Sequence, residues 1–121
     1  MKVIITQNNP ILEIHTDKGS KLISLHKIVY IEAFNKGSMI YVDNGDSIQT
    51  KYLLNSYSKY LPEPFFFRCH NSCIINCCFV DCFSDAEVIF KNNKRVPLSR
   101  EKKKRLKEIL VELEQNSKII S

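Results

Sequence analysis

A run of thiol and imidazole groups is the first place in this sequence where chemistry could occur. Cys69, His70, Cys73, Cys77, Cys78 and Cys82 provide six soft donor groups within fourteen residues. Structural zinc sites usually use two separated Cys-x2-4-Cys pairs, whereas these donors form one run whose later members would alternate between the faces of a strand. The spacing therefore favours buried cysteines that act as small apolar residues, and a cysteine-based metal or redox sensor is the alternative.

Catalytic signatures are otherwise missing from the sequence. It has no phosphate-binding loop, no metalloprotease helix motif and no paired carboxylates. A cysteine nucleophile paired with His15, His26 or His70 stays open, because such partners need not be adjacent in the chain. We expect a binding protein without a cofactor rather than an enzyme.

Positive charge is concentrated near the C-terminal end of the chain. Residues 91–107 hold nine basic residues and one acidic residue, which leaves nine basic and twelve acidic residues in the rest of the chain. A solvated helix face would produce much of this pattern, but so would a surface that binds a polyanion.

Arg68, His70 and Asn71 form a short polar stretch between apolar strands. A structural role would be a turn at Asn71 and Ser72, or an ion pair from Arg68 to Glu32 or Glu63. The functional alternative is recognition of nucleic acid, because arginine can bridge O6 and N7 of guanine and asparagine can bridge N6 and N7 of adenine.

Short β-forming stretches, closed by turn residues, must position these groups. The segments 11–16 and 21–24 flank one turn, 39–43 and 47–50 flank Asn44-Gly45, and 87–90 and 95–98 flank Asn92-Asn93. These patterns predict three hairpins, the last two with type I′ turns. Residues 27–34 are nearly all apolar or β-forming, apart from Glu32, and predict a strand covered on both faces.

Two helices are predicted. Apolar residues at 53, 54, 57 and 61 have helical spacing and predict a short packing helix that ends before Pro62. After Ser99, a stripe of Leu106, Ile109, Leu110 and Leu113 predicts an amphipathic C-terminal helix. Ser99 is placed to cap that helix, and Glu101 is favourable in its first turn.

The whole chain, with 121 residues of which 44% are hydrophobic, fits a single domain over residues 1–121. The first fifteen residues lack the long apolar run of a signal peptide or membrane span, so we expect no membrane insertion. Five closely spaced cysteines make a poor disulfide framework and suit a reducing compartment. We therefore expect a cytoplasmic protein.

Several short motifs carry a resemblance to a known family. Phe67-Arg68 is followed by His70-Asn71-Ser72 and Ile74-Ile75-Asn76, and a later predicted hairpin ends in Leu98-Ser99-Arg100. In this order and spacing the chain resembles the LytTR DNA-binding domain of bacterial response regulators over residues 11–113. The family implies a mostly β, compact antiparallel fold of about ten strands, with the two helices, that reads successive major grooves of DNA from loops.

The resemblance also implies which residues contact DNA. Asn71 and Arg100 would meet bases or the adjacent backbone, and Lys36, Ser38, Arg68 and the lysines after Arg100 would mostly contact phosphate. The full predicted set is Asn35, Lys36, Ser38, Arg68, His70, Asn71, Ser72, Ser99, Arg100, Lys102 and Lys103. At Ser38 the sequence departs from the family, which often has a larger residue such as histidine or arginine nearby.

The resemblance implies a bacterial transcription regulator that binds tandem sites as a dimer on DNA. No receiver domain is expected in the chain, so it would be a separately encoded regulator or the output part of a longer two-component protein. The alternative within the same fold is a protein-interaction module with a regulatory partner, such as a membrane-bound inhibitor. Exposed Cys69 or Cys73 beside the recognition loops would make binding sensitive to oxidation.

Overall fold

The computed structural model describes residues 1–117, and within that range it contains eleven strands, four 3₁₀ helices and one α-helix. The predicted mostly β, antiparallel fold with a C-terminal helix is confirmed. By its internal contacts the chain divides into two units, Met1–Tyr60 and the part from Leu61 onward. None of the helices in the described part is long and apolar enough to span a membrane.

The first unit is built from six strands and two 3₁₀ helices. The strands are β1 (Lys2–Ile4), β2 (Ile11–Thr16), β3 (Gly19–Ser24), β4 (Ile28–Phe34), β5 (Gly37–Val42) and β6 (Ser47–Thr50), and the 3₁₀ helices are Leu25–Lys27 and Leu54–Tyr57. Strands β1, β2 and β3 form an antiparallel sheet, and β4, β5 and β6 pair antiparallel in chain order. The first two predicted hairpins are therefore confirmed.

Strand β4 supplies much of the core of the first unit. Its first four residues, Ile28 to Ile31, are buried, as expected for a strand covered on both faces. Glu32 is half-buried, and its carboxylate accepts a 2.6 Å hydrogen bond from the Tyr41 hydroxyl on the neighbouring strand. This partner explains how an acidic residue is tolerated in an otherwise apolar strand.

The predicted short helix is a 3₁₀ helix of four residues, Leu54–Tyr57. Leu54 and Tyr57 are buried as predicted, but the side chain of Leu53 is exposed. Four residues in 3₁₀ geometry turn too tightly to bring all the apolar positions of an α-helical stripe to one face.

The turns differ from the predicted types. Gly45 (φ +93°) and Asn93 (φ +68°) have positive φ, but the residue before each does not, so neither turn is type I′. In both, the hydrogen bonds fit a three-residue loop that ends in a left-handed residue: Gly45 N–H donates to the Val42 carbonyl and Asn93 N–H donates to the Phe90 carbonyl.

The second unit contains five strands, two 3₁₀ helices and the α-helix. The strands are β7 (Phe66–His70), β8 (Cys73–Asn76), β9 (Val80–Phe83), β10 (Glu87–Phe90) and β11 (Arg95–Pro97), and the helices are the 3₁₀ helices Cys77–Phe79 and Arg100–Lys102 and α1 (Lys103–Ser117). Strands β7 and β8 form a hairpin, and β9, β10 and β11 form an antiparallel sheet.

Helix α1 packs through the predicted apolar stripe, since Leu106 and Ile109 are fully buried. The predicted cap is wrong in one respect. Ser99 precedes the 3₁₀ helix that leads into α1, but its hydroxyl makes no capping hydrogen bond. Its carbonyl accepts from Lys102 N–H at 2.9 Å instead, so a backbone bond closes the first turn.

Gly37 is the glycine at which a side chain would do most damage. A methyl group on its Cα would overlap the backbone carbonyl oxygen of Thr50 on strand β6. Alanine usually stabilises a strand relative to glycine by about 0.5–1 kcal/mol. We expect Gly37→Ala instead to lower the free energy of unfolding by about 1–3 kcal/mol, measured by urea denaturation, because β5 and β6 must separate. Equal or greater stability in the variant would contradict this close approach.

Candidate nucleic-acid interface

The first predicted recognition loop is a tight turn between β4 and β5. Asn35 (φ +46°) and Lys36 (φ +61°) are both left-handed, and the flanking residues Phe34 and Gly37 pair across the ladder. Two consecutive residues with positive φ define a type I′ turn. The sequence had indicated this turn type at Asn44-Gly45 and Asn92-Asn93 instead. Both side chains are exposed, so they are available to a ligand.

Ser38 does not belong to the exposed surface of this turn. Its side chain is fully buried, and its hydroxyl lies 2.7 Å from Thr50 Oγ1 and 2.8 Å from the Tyr57 hydroxyl. Burial raises the pKa of the Tyr57 phenol above its ordinary value, so the phenol stays protonated. The predicted contact from Ser38 to phosphate is therefore wrong, because Ser38 faces the interior of the unit.

The second predicted recognition loop closes the hairpin of β7 and β8. The Nδ1 atom of His70 accepts a 3.1 Å hydrogen bond from Ser72 N–H and lies 2.8 Å from the Ser72 hydroxyl. An accepting Nδ1 puts the proton of the neutral ring on Nε2, which becomes a donor. Arg68 donates from its guanidinium to the Asn71 carbonyl at 2.6 Å, and the Asn71 side chain is exposed.

The third predicted site, Ser99 and Arg100, lies beside this hairpin. Ser99 N–H donates to the Cys69 carbonyl at 2.8 Å, which joins the residue before Arg100 to the residue before His70. Arg100 is exposed, and within residues 1–117 no hydrogen bond or ion pair holds its guanidinium. The second unit therefore brings together the predicted residues of the second and third loops.

The two predicted phosphate-binding lysines have partners within the protein. Lys102 Nζ lies 5.9 Å from the centre of the Phe67 ring, and Lys103 forms an ion pair with Asp85. The hydrogen bond and positive charge of Lys103, helped by the nearby charge of Arg100, hold the pKa of the Asp85 carboxyl below its ordinary value. Lys102 and Lys103 are consequently less available to DNA than their place in the sequence indicated.

The basic segment 91–107 is partly neutralised by acidic residues that lie elsewhere in the second unit. Arg95 pairs with Glu87 at 3.2 Å, Arg105 pairs with Glu63 at 2.6 Å and with Glu108 at 3.3 Å, and Lys103 pairs with Asp85. The exposed cations of the segment that no ion pair holds, within the described part of the chain, are Lys91, Lys94, Arg100, Lys104 and Lys107.

The cysteines are free, and they divide into a buried and an exposed group. Cys69, Cys73 and Cys77 are buried, whereas Cys78 and Cys82 are exposed. The predicted burial is therefore confirmed for the first three cysteines and wrong for Cys78 and Cys82, and the exposure of Cys69 or Cys73 that oxidation-sensitive binding would require is not present. Among residues 1–117, no group of three or more histidine, cysteine or acidic side chains is arranged to hold a metal ion.

Comparison with known proteins identifies the family of the chain. The family model described as LytTr DNA-binding domain matches residues 18–111, which is well over half of the chain. The chain belongs to the LytTR DNA-binding family. This membership assigns DNA binding in transcription regulation as the function class, and the predicted resemblance is confirmed.

One solved structure shares the fold of this LytTR domain. It is the LytTr DNA-binding domain of a protein described as a methyl-accepting/DNA response regulator from Bacillus cereus, with 24% sequence identity and a TM-score of 0.69. The match covers 83% of this chain and 95% of that chain. A search of the curated proteins gave no match.

Three residues with supporting roles in this LytTR domain were missed at the sequence level. Asn76 is buried, and its side-chain oxygen accepts from Cys78 N–H at 3.0 Å, so it caps the 3₁₀ helix that follows β8. Thr50 and Tyr57 bind the buried Ser38 hydroxyl. Asn76 could have been recognised from its place just before a chain reversal, but no local signal marks the other two.

Lys36 combines an unfavourable backbone conformation with an exposed charge. A left-handed residue other than glycine costs roughly 1–2 kcal/mol, so we expect Lys36→Gly to stabilise the domain by about 1 kcal/mol in urea denaturation. If Lys36 contacts phosphate, the same variant loses DNA affinity, and the slope of log K against log salt falls by about 1. A more stable variant with unchanged salt dependence would exclude Lys36 from the contact set.

Thiol reactivity provides a direct test of the cysteine environments. Burial raises the pKa of the Cys77 thiol to about 12, so its reactive thiolate is scarce at neutral pH. We expect iodoacetamide to modify Cys78 and Cys82 in the folded protein within minutes, while the three buried cysteines react only after denaturation. Mass spectrometry of digested protein identifies the sites, and early labelling of Cys69 or Cys73 would contradict their burial.

Proposed function

We propose that this LytTR domain recognises specific double-stranded DNA sequences through side chains carried on its turns, with loops entering successive major grooves. It acts as a bacterial transcription regulator or as the output domain of a two-component response regulator. The observation that carries the proposal is the exposed guanidinium of Arg100, which no ion pair within residues 1–117 neutralises and which follows a residue tied to the β7–β8 hairpin.

Base recognition is assigned to residues that have a side-chain hydrogen-bond donor not engaged within the described part of the protein. Arg100 can donate two hydrogen bonds to O6 and N7 of a guanine, and the Asn71 amide can pair with N6 and N7 of an adenine. His70 presents an Nε2 donor, because its Nδ1 is occupied by Ser72. Each good bidentate contact contributes about 1–3 kcal/mol of discrimination between bases.

Phosphate contacts are assigned to exposed cations and to half-buried polar side chains near the loops. Lys36 in the first turn and Lys104 at the start of α1 are exposed, and ion pairs hold neither of them within residues 1–117. Arg68, Ser72 and Ser99 are half-buried and support the loops while they face the phosphate backbone. Contacts of this kind provide affinity and salt sensitivity but no sequence information.

Few base-reading residues per domain imply modest specificity for a single copy. Two copies on tandem sites would add their contacts, so we expect a dimer on DNA. A regulatory protein partner would act on a surface away from Arg100 and Asn71 if it is to bind the domain together with DNA.

Selection of bound duplexes from a random library at two salt concentrations tests the proposal. For the wild type we expect a tandem motif and an affinity that falls steeply as the salt concentration rises. For Arg100→Ala we expect weaker base preference at particular positions of that motif. Arg95→Ala is the matched control, since Arg95 lies in the same basic segment but pairs with Glu87. The control should keep the selected motif.

Two outcomes would contradict the proposal. If no motif emerges for the wild type, the domain does not recognise DNA sequence by itself and a protein partner becomes the leading function. If Arg100→Ala and Arg95→Ala both select the wild-type motif with undiminished affinity, Arg100 does not read bases.

A further inference from the structure

A cluster of three buried hydroxyl groups that bind one another lies close in sequence to the first turn, and we call it the hydroxyl triad. The Ser38 hydroxyl is 2.7 Å from Thr50 Oγ1 and 2.8 Å from the Tyr57 hydroxyl, and the last two are 3.0 Å apart. Ser38 and Tyr57 are fully buried and Thr50 is 5% exposed. Each hydroxyl can donate to one neighbour and accept from the other, and Thr50 Oγ1 also accepts from Tyr52 N–H at 3.2 Å, so the polar groups of the triad are satisfied within the protein.

The turn beside the triad has a backbone conformation that needs support. Asn35 tolerates its left-handed conformation, but Lys36 is a residue for which this conformation is unfavourable. Such residues persist when the surrounding structure fixes them, and they are concentrated at functional sites.

The triad fixes the chain immediately after this turn. Ser38 pairs with Thr50 across the β5–β6 ladder, and the preceding Gly37 packs so tightly on the Thr50 carbonyl that no side chain fits. Tyr57 reaches the same point from the 3₁₀ helix Leu54–Tyr57. Strands β5 and β6 and this 3₁₀ helix thus meet at Ser38, two positions after Lys36.

We propose that the hydroxyl triad is the positioning device of the first recognition turn, which sets the direction in which Lys36 meets phosphate and the Asn35 amide meets base edges, and hence the selectivity at the base pairs facing that turn. This inference rests on the proposed function. Ser38, Thr50 and Tyr57 are positioning residues, because their buried hydroxyl groups cannot reach a ligand themselves.

Amide hydrogen exchange in the free protein tests whether the triad holds the turn. Tyr57→Phe keeps the ring and removes one hydroxyl, and we expect exchange at residues 35–38 to become faster by on the order of tenfold. Tyr41→Phe is the matched control, since its hydroxyl binds Glu32 in the same unit and not the triad. Thr50→Val replaces Tyr57→Phe if the latter does not fold. Wild-type exchange rates at the turn in the folded variant would overturn the proposal.

Selection from a random duplex library tests the consequence for recognition. We expect Tyr57→Phe to flatten base preference at the positions that Asn35→Gly also flattens, and to leave intact the positions that depend on Arg100. A general loss of structure would weaken every position equally, and that result would overturn the positioning role.

The two measurements separate the proposal from the function on which it rests. If the wild type selects no motif, the proposed function fails and the role of the triad in recognition fails with it, while exchange still decides whether the triad holds the turn. If a motif is selected and Tyr57→Phe retains it fully, the function stands and the triad is overturned as its positioning device.

Discussion

The hydrogen bond from Ser99 N–H to the Cys69 carbonyl, 2.8 Å long, is the interaction on which the polar surface of the second unit depends. It ties the β7–β8 hairpin to the junction that leads into α1. The Cys69 thiol donates to the Pro97 carbonyl at 3.3 Å alongside it. Cys69 is fully buried between the two segments and acts as a small apolar residue with a weak donor. Loop residues on both sides of this bond therefore share one support.

The residues that build the loops have hydrogen-bond partners within the protein, whereas the side-chain groups that are available to a ligand have none within residues 1–117. The side chains of His70 and Ser72 bind each other, and Asn76 caps a 3₁₀ helix. The Ser38 hydroxyl is hydrogen-bonded to Thr50 and Tyr57. Buried polar groups almost always have hydrogen-bond partners, so the residue type alone does not identify a residue that recognises DNA. Arg100 differs because its guanidinium is exposed and lies outside these networks.

Much of the architecture could be predicted from the sequence because strand alternation, the stripe of α1 and the hairpin positions are local patterns. The turn types could not, because the left-handed pair at Asn35-Lys36 is set by the register of β4 on β5. The burial of Ser38 likewise depends on its pairing with Thr50 and on the position of Tyr57. The neutralisation of Lys103 and Arg105 was hidden because Asp85 and Glu63 lie 18 and 42 residues away in the chain.

The internal ion pairs of the basic segment have a consequence for how such a domain searches a chromosome. Binding to arbitrary DNA is driven by the release of counterions, and every cation already matched with a carboxylate contributes little to it. Because Arg95, Lys103 and Arg105 are matched in this way, they would contribute less to binding of random sequence than the formal charge of the segment indicates. Non-specific binding would thus rest mainly on the cations that no ion pair holds, and the base-facing loop residues would supply the difference between an operator and the rest of the genome.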